Sequence, residues 1–310
     1  MNNKLVPFLI LALLVIAPLG AVAAENSLKI LISVDMEGIT GVVNSDHVSP
    51  EGKDYNRARL WMTQDVNAAI EGGLEAGATE IIVNDSHGGM RNILLEKLHP
   101  AADLISGTPK PFGMMQGIDA SVDAVIFIGY HAKIGTQNAI LAHTMSSSRL
   151  FDCRVNDVSM SEGSLNAYLA GHFDVPVVFI AGDRAAVDQM RTIMNSDLPG
   201  VAVKEAYGRL AARNLSLERA HERIRSGVAE AVKNRKNIQP AKLSGPIKLE
   251  MEFFRADYTD QLDLIPGVIR TDGRTVEIHK RRLHRRLQAH AGPSGSLQHL
   301  TIHCSTIPYY

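Results

Sequence analysis

The sequence predicts an α/β fold, a Rossmann-like, mostly parallel sheet joined to a second, smaller α+β unit. Apolar runs of strand length alternate with longer stretches whose apolar residues recur at helical spacing, the pattern of parallel strands joined by crossover helices. The most apolar runs have almost no polar face, as strands covered on both sides require. After Asp183 the texture shifts to charged helices and an alternating strand, which marks the second unit.

LKILISV, ending before Asp35, reads as the first strand. Residues 55–76 carry Leu60, Met62, Val66, Ala69, Ile70 and Leu74 at helical spacing and stop at Gly77, a favoured residue just past a helix end. EIIVND is the second strand, ending at Asp85. A short helix through Leu94 and Leu98 leads to ADLIS, a third strand, and DAVIFIGYH is a buried strand ending near Gly129. Residues 164–172 read as helix, and VPVVFIAGD closes the series as a strand. Beyond it follow a helix over 184–194, a strand around 201–204, a charged helix over 217–236, and PIKLEMEF, which alternates as a half-buried strand does. The expected organisation is a leader over 1–24, a metal-binding α/β catalytic domain over 25–190, a smaller α+β domain over 191–278 and a divergent basic tail over 279–310. The domain boundary is expected between residues 184 and 200.

Residues 5–24, LVPFLILALLVIAPLGAVAA, follow Lys4 and end in Ala21, Ala23 and Ala24, the three parts of a secretory signal peptide. The expectation is an exported, periplasmic or extracellular protein with no stable membrane span after processing. An uncleaved anchor is the competing reading, since the stretch nearly spans a bilayer; Pro7, Pro18 and the small-residue end favour cleavage. Lys+Arg of 32 against Asp+Glu of 33 gives no global basic field, which removes the electrostatic case for a nucleic-acid partner. Cys153 and Cys304 are too few and too far apart for a disulfide framework or a zinc-thiolate cluster, although one bridge between them stays open after export. HKRRLHRRLQAH, residues 279–290, carries five Lys/Arg and no acid, and reads as a solvated tail.

Asp35 and Glu37, in VDMEG, follow a strand at the edge where α/β sheets present side chains to a crevice. In extended chain both point to one side, where two carboxylates repel, and a metal cation is a natural partner. A solvated acidic turn is the plain alternative. His87, in VNDSHGG, follows the second strand, and His131, in GYHAK, follows the buried one. Three strand ends thus each offer a typical zinc ligand. Glu162 lies near a helix start, where it would otherwise complement the helix dipole. Five O/N ligands exceed one tetrahedral zinc shell but suit two zinc ions per chain, with Asp35 as the candidate bridge. Such a pair activates a water and polarises the carbonyl under attack. His143, in LAHTM, has no nucleophile beside it in sequence, so proton transfer or oxyanion stabilisation is weighed against a buried, hydrogen-bonded histidine.

The motifs VDMEGITG, VNDSHGGMRN, LEKLHPAADLISG, FIGYHA, AHTM and SEGSLNAYLAG, followed by DVPVVFIAGD, resemble the zinc-dependent D-aminopeptidases of the bacterial dipeptide-transport type, in order and at similar spacing. The likeness runs from about Leu28 to Gly273 and is most specific over Asp35 to Asp183. It implies a binuclear zinc site at Asp35, Glu37, His87, His131 and Glu162, with His143 at the position assigned as catalytic. It also implies release of N-terminal D-amino acids from short peptides, and a ring-like homo-oligomer, a decamer among its forms, that encloses the sites. The chain departs from the family at both ends, in its leader and in a basic segment where an acidic amphipathic helix is usual. The readings held against this one are another dimetal hydrolase, such as a phosphoesterase, and an exported peptide- or metal-binding protein.

Overall fold

The computed structural model describes residues 27–194 and 197–280. The leader over 1–24, the tail beyond residue 280, and Cys304 with the question of its pairing to Cys153 lie outside the described residues. Among the described residues no helix is long and apolar enough to cross a membrane.

In chain order the elements are β1 (Lys29–Val34), α1 (Ser45–Val48), α2 (Tyr55–Glu75), β2 (Glu80–Asp85), β3 (Ala102–Ile105), β4 (Ala124–Tyr130), β5 (Leu150–Val155), β6 (Val158–Ser159), α3 (Glu162–His172), β7 (Val177–Asp183) and α4 (Arg184–Met194). There follow β8 (Gly200–Gly208), β9 (Ala211–Asn214), α5 (Leu217–Lys233), β10 (Ile247–Phe253), α6 (Ala256–Leu262), β11 (Val268–Arg270) and β12 (Thr275–Lys280).

The large sheet has the order β3-β2-β1-β4-β7-β8-β9, parallel except for β9, which returns from β8 as an antiparallel edge. β1 lies inside it, and its side chains alternate between two cores. Ile30, Ile32 and Val34 join α2 and α5 on one face, while Leu31 joins the layer of α3, α4, Met114 and Met115 on the other. Each such fully buried aliphatic side chain contributes about 1.5–3 kcal/mol. The chain builds outward from β1 through β2 to β3, then returns to pair β4 on the other side of β1. The switch point therefore falls between β1 and β4, where open α/β sheets leave a crevice at their carboxyl edge. Register makes the three central strands end level, with Val34 opposite Asp85 on one side and Ile128 on the other.

The second sheet is antiparallel, in the order β11-β12-β10-β5-β6. Its core is Leu150, Cys153, Met251, Phe253 and Val276. Glu250 and Glu252, on the opposite side of β10, pair with Arg154, and Glu252 also pairs with Arg274. This arrangement corrects the expected boundary near residue 190. β8, β9 and α5 lie past it yet complete the large sheet and one of its cores, while β5 and β6 lie before it yet belong to the small sheet. Buried residues alternate with exposed or half-exposed ones in β5, LFDCRV, so it lacks the apolar run that reveals the parallel strands. Elsewhere the differences are local. The helix expected through Leu94 and Leu98 is a three-residue turn, Leu95–Lys97. α3 starts two residues before the expected position because Ser161 and Ser164 cap it reciprocally. α5 stops at Lys233, three residues early. β12 includes His279 and Lys280, the first two residues of the basic segment.

At the end of β4, Gly129 has φ +73°, and a Cβ there would sit 2.1 Å from the Asp35 carbonyl oxygen. Gly77, after α2, has φ +89° but open space around it. Gly129→Ala is therefore expected to cost at least about 2 kcal/mol, and Gly77→Ala about 1 kcal/mol. Equal shifts of the two variants in urea denaturation would refute the close-approach argument.

Candidate metal centre

Asp35 stands one residue past β1, His87 two past β2 and His131 one past β4, so the level strand ends deliver three side chains to one place. The floor is tied together by backbone bonds, with Asp35 N–H donating to Ile128 O at 2.8 Å and Ser86 N–H to Val34 O at 2.8 Å. Glu162 enters from the first turn of α3 and His143 from the loop after β4. All six residues singled out in the sequence come together.

His87 Nδ1 lies 3.3 Å from Asp35 Oδ1 and 3.0 Å from Glu37 Oε2. His131 Nε2 lies 3.2 Å from Asp35 Oδ2 and 3.4 Å from Glu162 Oε1. His143 Nε2 is 3.6 Å from the same Glu162 oxygen, and its ring stacks on that of His131 with centroids 4.2 Å apart. Asp35, Glu37, His131 and Glu162 are buried, while His87 and His143 are partly exposed. The cluster thus meets solvent on the side of those two imidazoles.

The outward nitrogens fix the tautomers. His87 Nε2 faces Val48 O at 2.9 Å, His131 Nδ1 faces Ala132 O at 2.9 Å, and His143 Nδ1 faces Leu141 O at 2.8 Å. A carbonyl only accepts, so each of these nitrogens carries the proton and a neutral ring turns its lone pair toward the carboxylates. Acceptors facing acceptors repel, and the arrangement is stable only with protons or a cation between them. Asp35 Oδ2 and His131 Nε2 are buried and, although 3.2 Å apart, are not aligned for a hydrogen bond. Two overlapping groups meet the spacing of metal ligands, Asp35–Glu37–His131 and His131–His143–Glu162. The residues therefore fit a divalent cation, with the carbonyls of Val48, Ala132 and Leu141 orienting the imidazoles as metal ligands require.

Burial opposes charging of His87 and His131, but the surrounding carboxylates outweigh it and both hold protons well above the ordinary value of 6.5. Burial pushes Asp35 up, and the neighbouring Glu37 charge adds to the rise. Burial also works against ionised Glu37 and Glu162, yet the histidines, His87 and His131 first, pull both below the ordinary range.

Four further polar residues shape the site without having been picked out for it. Lys204, buried in β8, donates from Nζ to the carbonyls of Glu37, Ile39 and Val42 at 2.6, 2.8 and 2.5 Å. All three ammonium protons are used, so the turn after Glu37 is strapped to a strand three places away in the sheet; burial lowers this lysine to about 8. Asp85 accepts from Asn92 and Ile93 N–H, closing the loop that carries His87. Lys110 spans Asn84 Oδ1 and Asp85 O, each at 2.6 Å. Asp183 accepts from Ile140 N–H and Ala186 N–H, both at 2.8 Å, pinning the His143 loop to α4. That loop holds Asn138, Leu141 and Met145 at positive φ, a concentration of strain that packing must sustain. A lysine ending the apolar run VAVK was the one visible signal for Lys204; the acids were legible only as strand ends.

A family model described as D-aminopeptidase, peptidase family M55, matches residues 28–290. The chain belongs to the D-aminopeptidase family. It is 38% identical over 267 residues to a D-aminopeptidase of Bacillus subtilis (strain 168), covering 84% of this chain and 95% of that one. Its fold is similar to that of the Zn-dependent D-aminopeptidase DppA from Bacillus subtilis, described as a self-compartmentalizing protease, with TM-score 0.79 and 35% identity over 82% of this chain and 92% of that chain. A D-aminopeptidase hydrolyses peptide bonds, which sets aside the phosphoesterase and binding-protein readings. The expectation of an exported protein is corrected. It rested on the leader alone, whereas the solved relative is self-compartmentalizing, and a protease that walls off its own sites is suited to sharing a compartment with proteins it must spare. The periplasmic or extracellular assignment is withdrawn.

For this D-aminopeptidase, a cation that enters the cluster must displace protons from His87 and His131. Because both hold protons above 6.5, divalent-metal affinity is expected to fall with decreasing pH from a point above that value, with release of at least about one proton per chain near neutrality. Calorimetry in two buffers of different ionisation enthalpy measures the release, and none at all would show that the carboxylates do not hold protons on His87 and His131.

Proposed function

We propose that Asp35, Glu37, His87, His131 and Glu162 hold two zinc ions per chain, and that the chain uses them to remove N-terminal D-amino acids from short peptides. The observation that carries the reading is the set of imidazole nitrogens turned inward on buried carboxylates, His87 on Asp35 and Glu37, His131 on Asp35 and Glu162. Imidazole with carboxylate is a borderline-to-hard donor set suited to zinc, and the solved relative is Zn-dependent. The count of two is supported by Asp35, whose Oδ1 approaches His87 while its Oδ2 approaches His131, as a bridging carboxylate would. When bound, the ions supply Lewis acidity that polarises the scissile carbonyl and lowers the pKa of water.

His143 is the residue for proton transfer or oxyanion stabilisation. It is partly exposed at the mouth, its Nδ1 proton is fixed on Leu141 O, and its Nε2 can exchange a proton with substrate. Its presence in the His131–His143–Glu162 group favours a second reading, in which it is itself a ligand. We further propose a homo-oligomeric ring that encloses the sites, a decamer being one such form, on the strength of the self-compartmentalizing relative. All six residues of this assignment lie at the carboxyl edge of the large sheet or on the loops and helix that border it.

The purified chain is expected to contain about two zinc ions, and chelation to abolish hydrolysis of D-alanyl peptides. Full activity at one ion per chain, measured by elemental analysis, would sink the binuclear assignment. His143→Ala is expected to keep both ions and the fold while lowering kcat roughly a hundredfold or more, with KM changed less. Loss of zinc in that variant would instead make His143 a ligand.

A further inference from the structure

A cavity of about 400 Å³ opens against the loop that carries His143, lined among others by Ile134, Thr136, Ala139, Ala142, Arg209 and Phe254. We propose that it receives the free C-terminal carboxylate of the substrate through Arg209, which makes the enzyme selective for unblocked di- and tripeptides. The proposal rests on hydrolysis taking place at the cluster described above.

The cavity is joined to the cluster through backbone. Arg209 Nη1 donates to Ala142 O at 2.7 Å, and that carbonyl belongs to the peptide unit whose N–H is the amide of His143. The same amide donates to Ala132 O at 3.2 Å, and Ala132 follows His131. The guanidinium is therefore anchored one peptide unit from the cluster's mouth. Its backbone is held as well, since Leu141 N–H donates to Arg209 O at 3.0 Å. Among the described residues, Nε and Nη2 of Arg209 have no hydrogen bond and no carboxylate partner. A planar fork with one arm fixed and the other donors open is suited to a carboxylate. Lys133, whose Nζ donates to the carbonyl of the lining residue Ile134 at 3.4 Å, adds a second positive charge next to that residue.

The rest of the lining is mostly apolar or small, with room for the side chain of a residue beyond the scissile bond. An extended residue spans roughly 3.3–3.6 Å. A carboxylate held one peptide unit from His143 thus belongs to a peptide with one or two residues after the scissile bond. A longer chain would have to pass the arginine with no charge to offer it.

The test compares kcat/KM of the full-length enzyme for D-alanyl-D-alanine and for its C-terminal amide. The free acid is expected to be favoured roughly tenfold to a hundredfold. R209Q should bring that ratio close to one, chiefly through a higher KM for the acid, and R209K should leave an intermediate ratio, since a point charge cannot form the fork. A wild-type ratio near one, or an unchanged ratio in R209Q, would overturn the subsite. Should R209Q fail to fold, the wild-type enzyme still decides, because kcat/KM must fall steeply from tripeptide to tetrapeptide. D-alanine p-nitroanilide, which has no carboxylate, reports hydrolysis independently of the cavity. If wild-type enzyme cleaves neither it nor any D-alanyl peptide, the reading of the cluster fails and the subsite with it; if it cleaves the anilide and treats acid and amide alike, the subsite alone fails.

Discussion

Three carboxylates and three imidazoles held within 3.6 Å contacts of one another, most of them buried, form the constraint around which this molecule is organised. Desolvated charge of one sign is costly unless positive charge lies among it. Inward protons offset that cost only partly, since Asp35 Oδ2 and His131 Nε2 remain unaligned. The surrounding architecture is what a site of this kind demands. Each loop that carries a cluster residue is clamped by a buried polar group on a different strand, Lys204 for Glu37, Asp85 for His87 and Asp183 for His143. Without such clamps the loops would relax outward and hydrate their acids.

The clamps also explain why the site sits where it does. A parallel sheet with both faces covered leaves one dry edge at which side chains from several strands converge, and the reversal of strand order between β1 and β4 opens that edge to a ligand. Gly129 lets β4 approach the Asp35 backbone closely. The 3.2 Å approach of Asp35 to His131 follows from strand geometry rather than from long flexible side chains, so the site is preorganised.

Much of this was legible in the sequence because parallel strands announce themselves twice, by unbroken apolar runs and by the polar residues that end them. LKILISV, EIIVND and AVIFIGY each end within two residues of a cluster residue, so reading the strands located Asp35, His87 and His131 together. The second sheet was harder to read, since β6 and β11 are brief, β5 is mixed in polarity, and all three are recognisable only by their cross-strand partners. The division into sheets was hidden for the same reason: the chain leaves the large sheet at β5 and returns to it at α3 and β7, and no local composition records such an excursion. Lys204 and Asp183 have their meaning only through contacts 40 or more residues away in the chain.

One strand, β8, begins beside β7, carries the lysine that straps the acidic turn and ends at Gly208, next to the arginine that borders the cavity. A single strand thus has its middle committed to the acidic turn and its far end to the rim of the cavity. The middle, Val203 and Lys204, is buried, while the hairpin tip is exposed and bounded by Tyr207 and Leu210, both on the surface. A change of length or charge at the tip therefore alters the rim of the cavity without loosening the strap on the acidic turn.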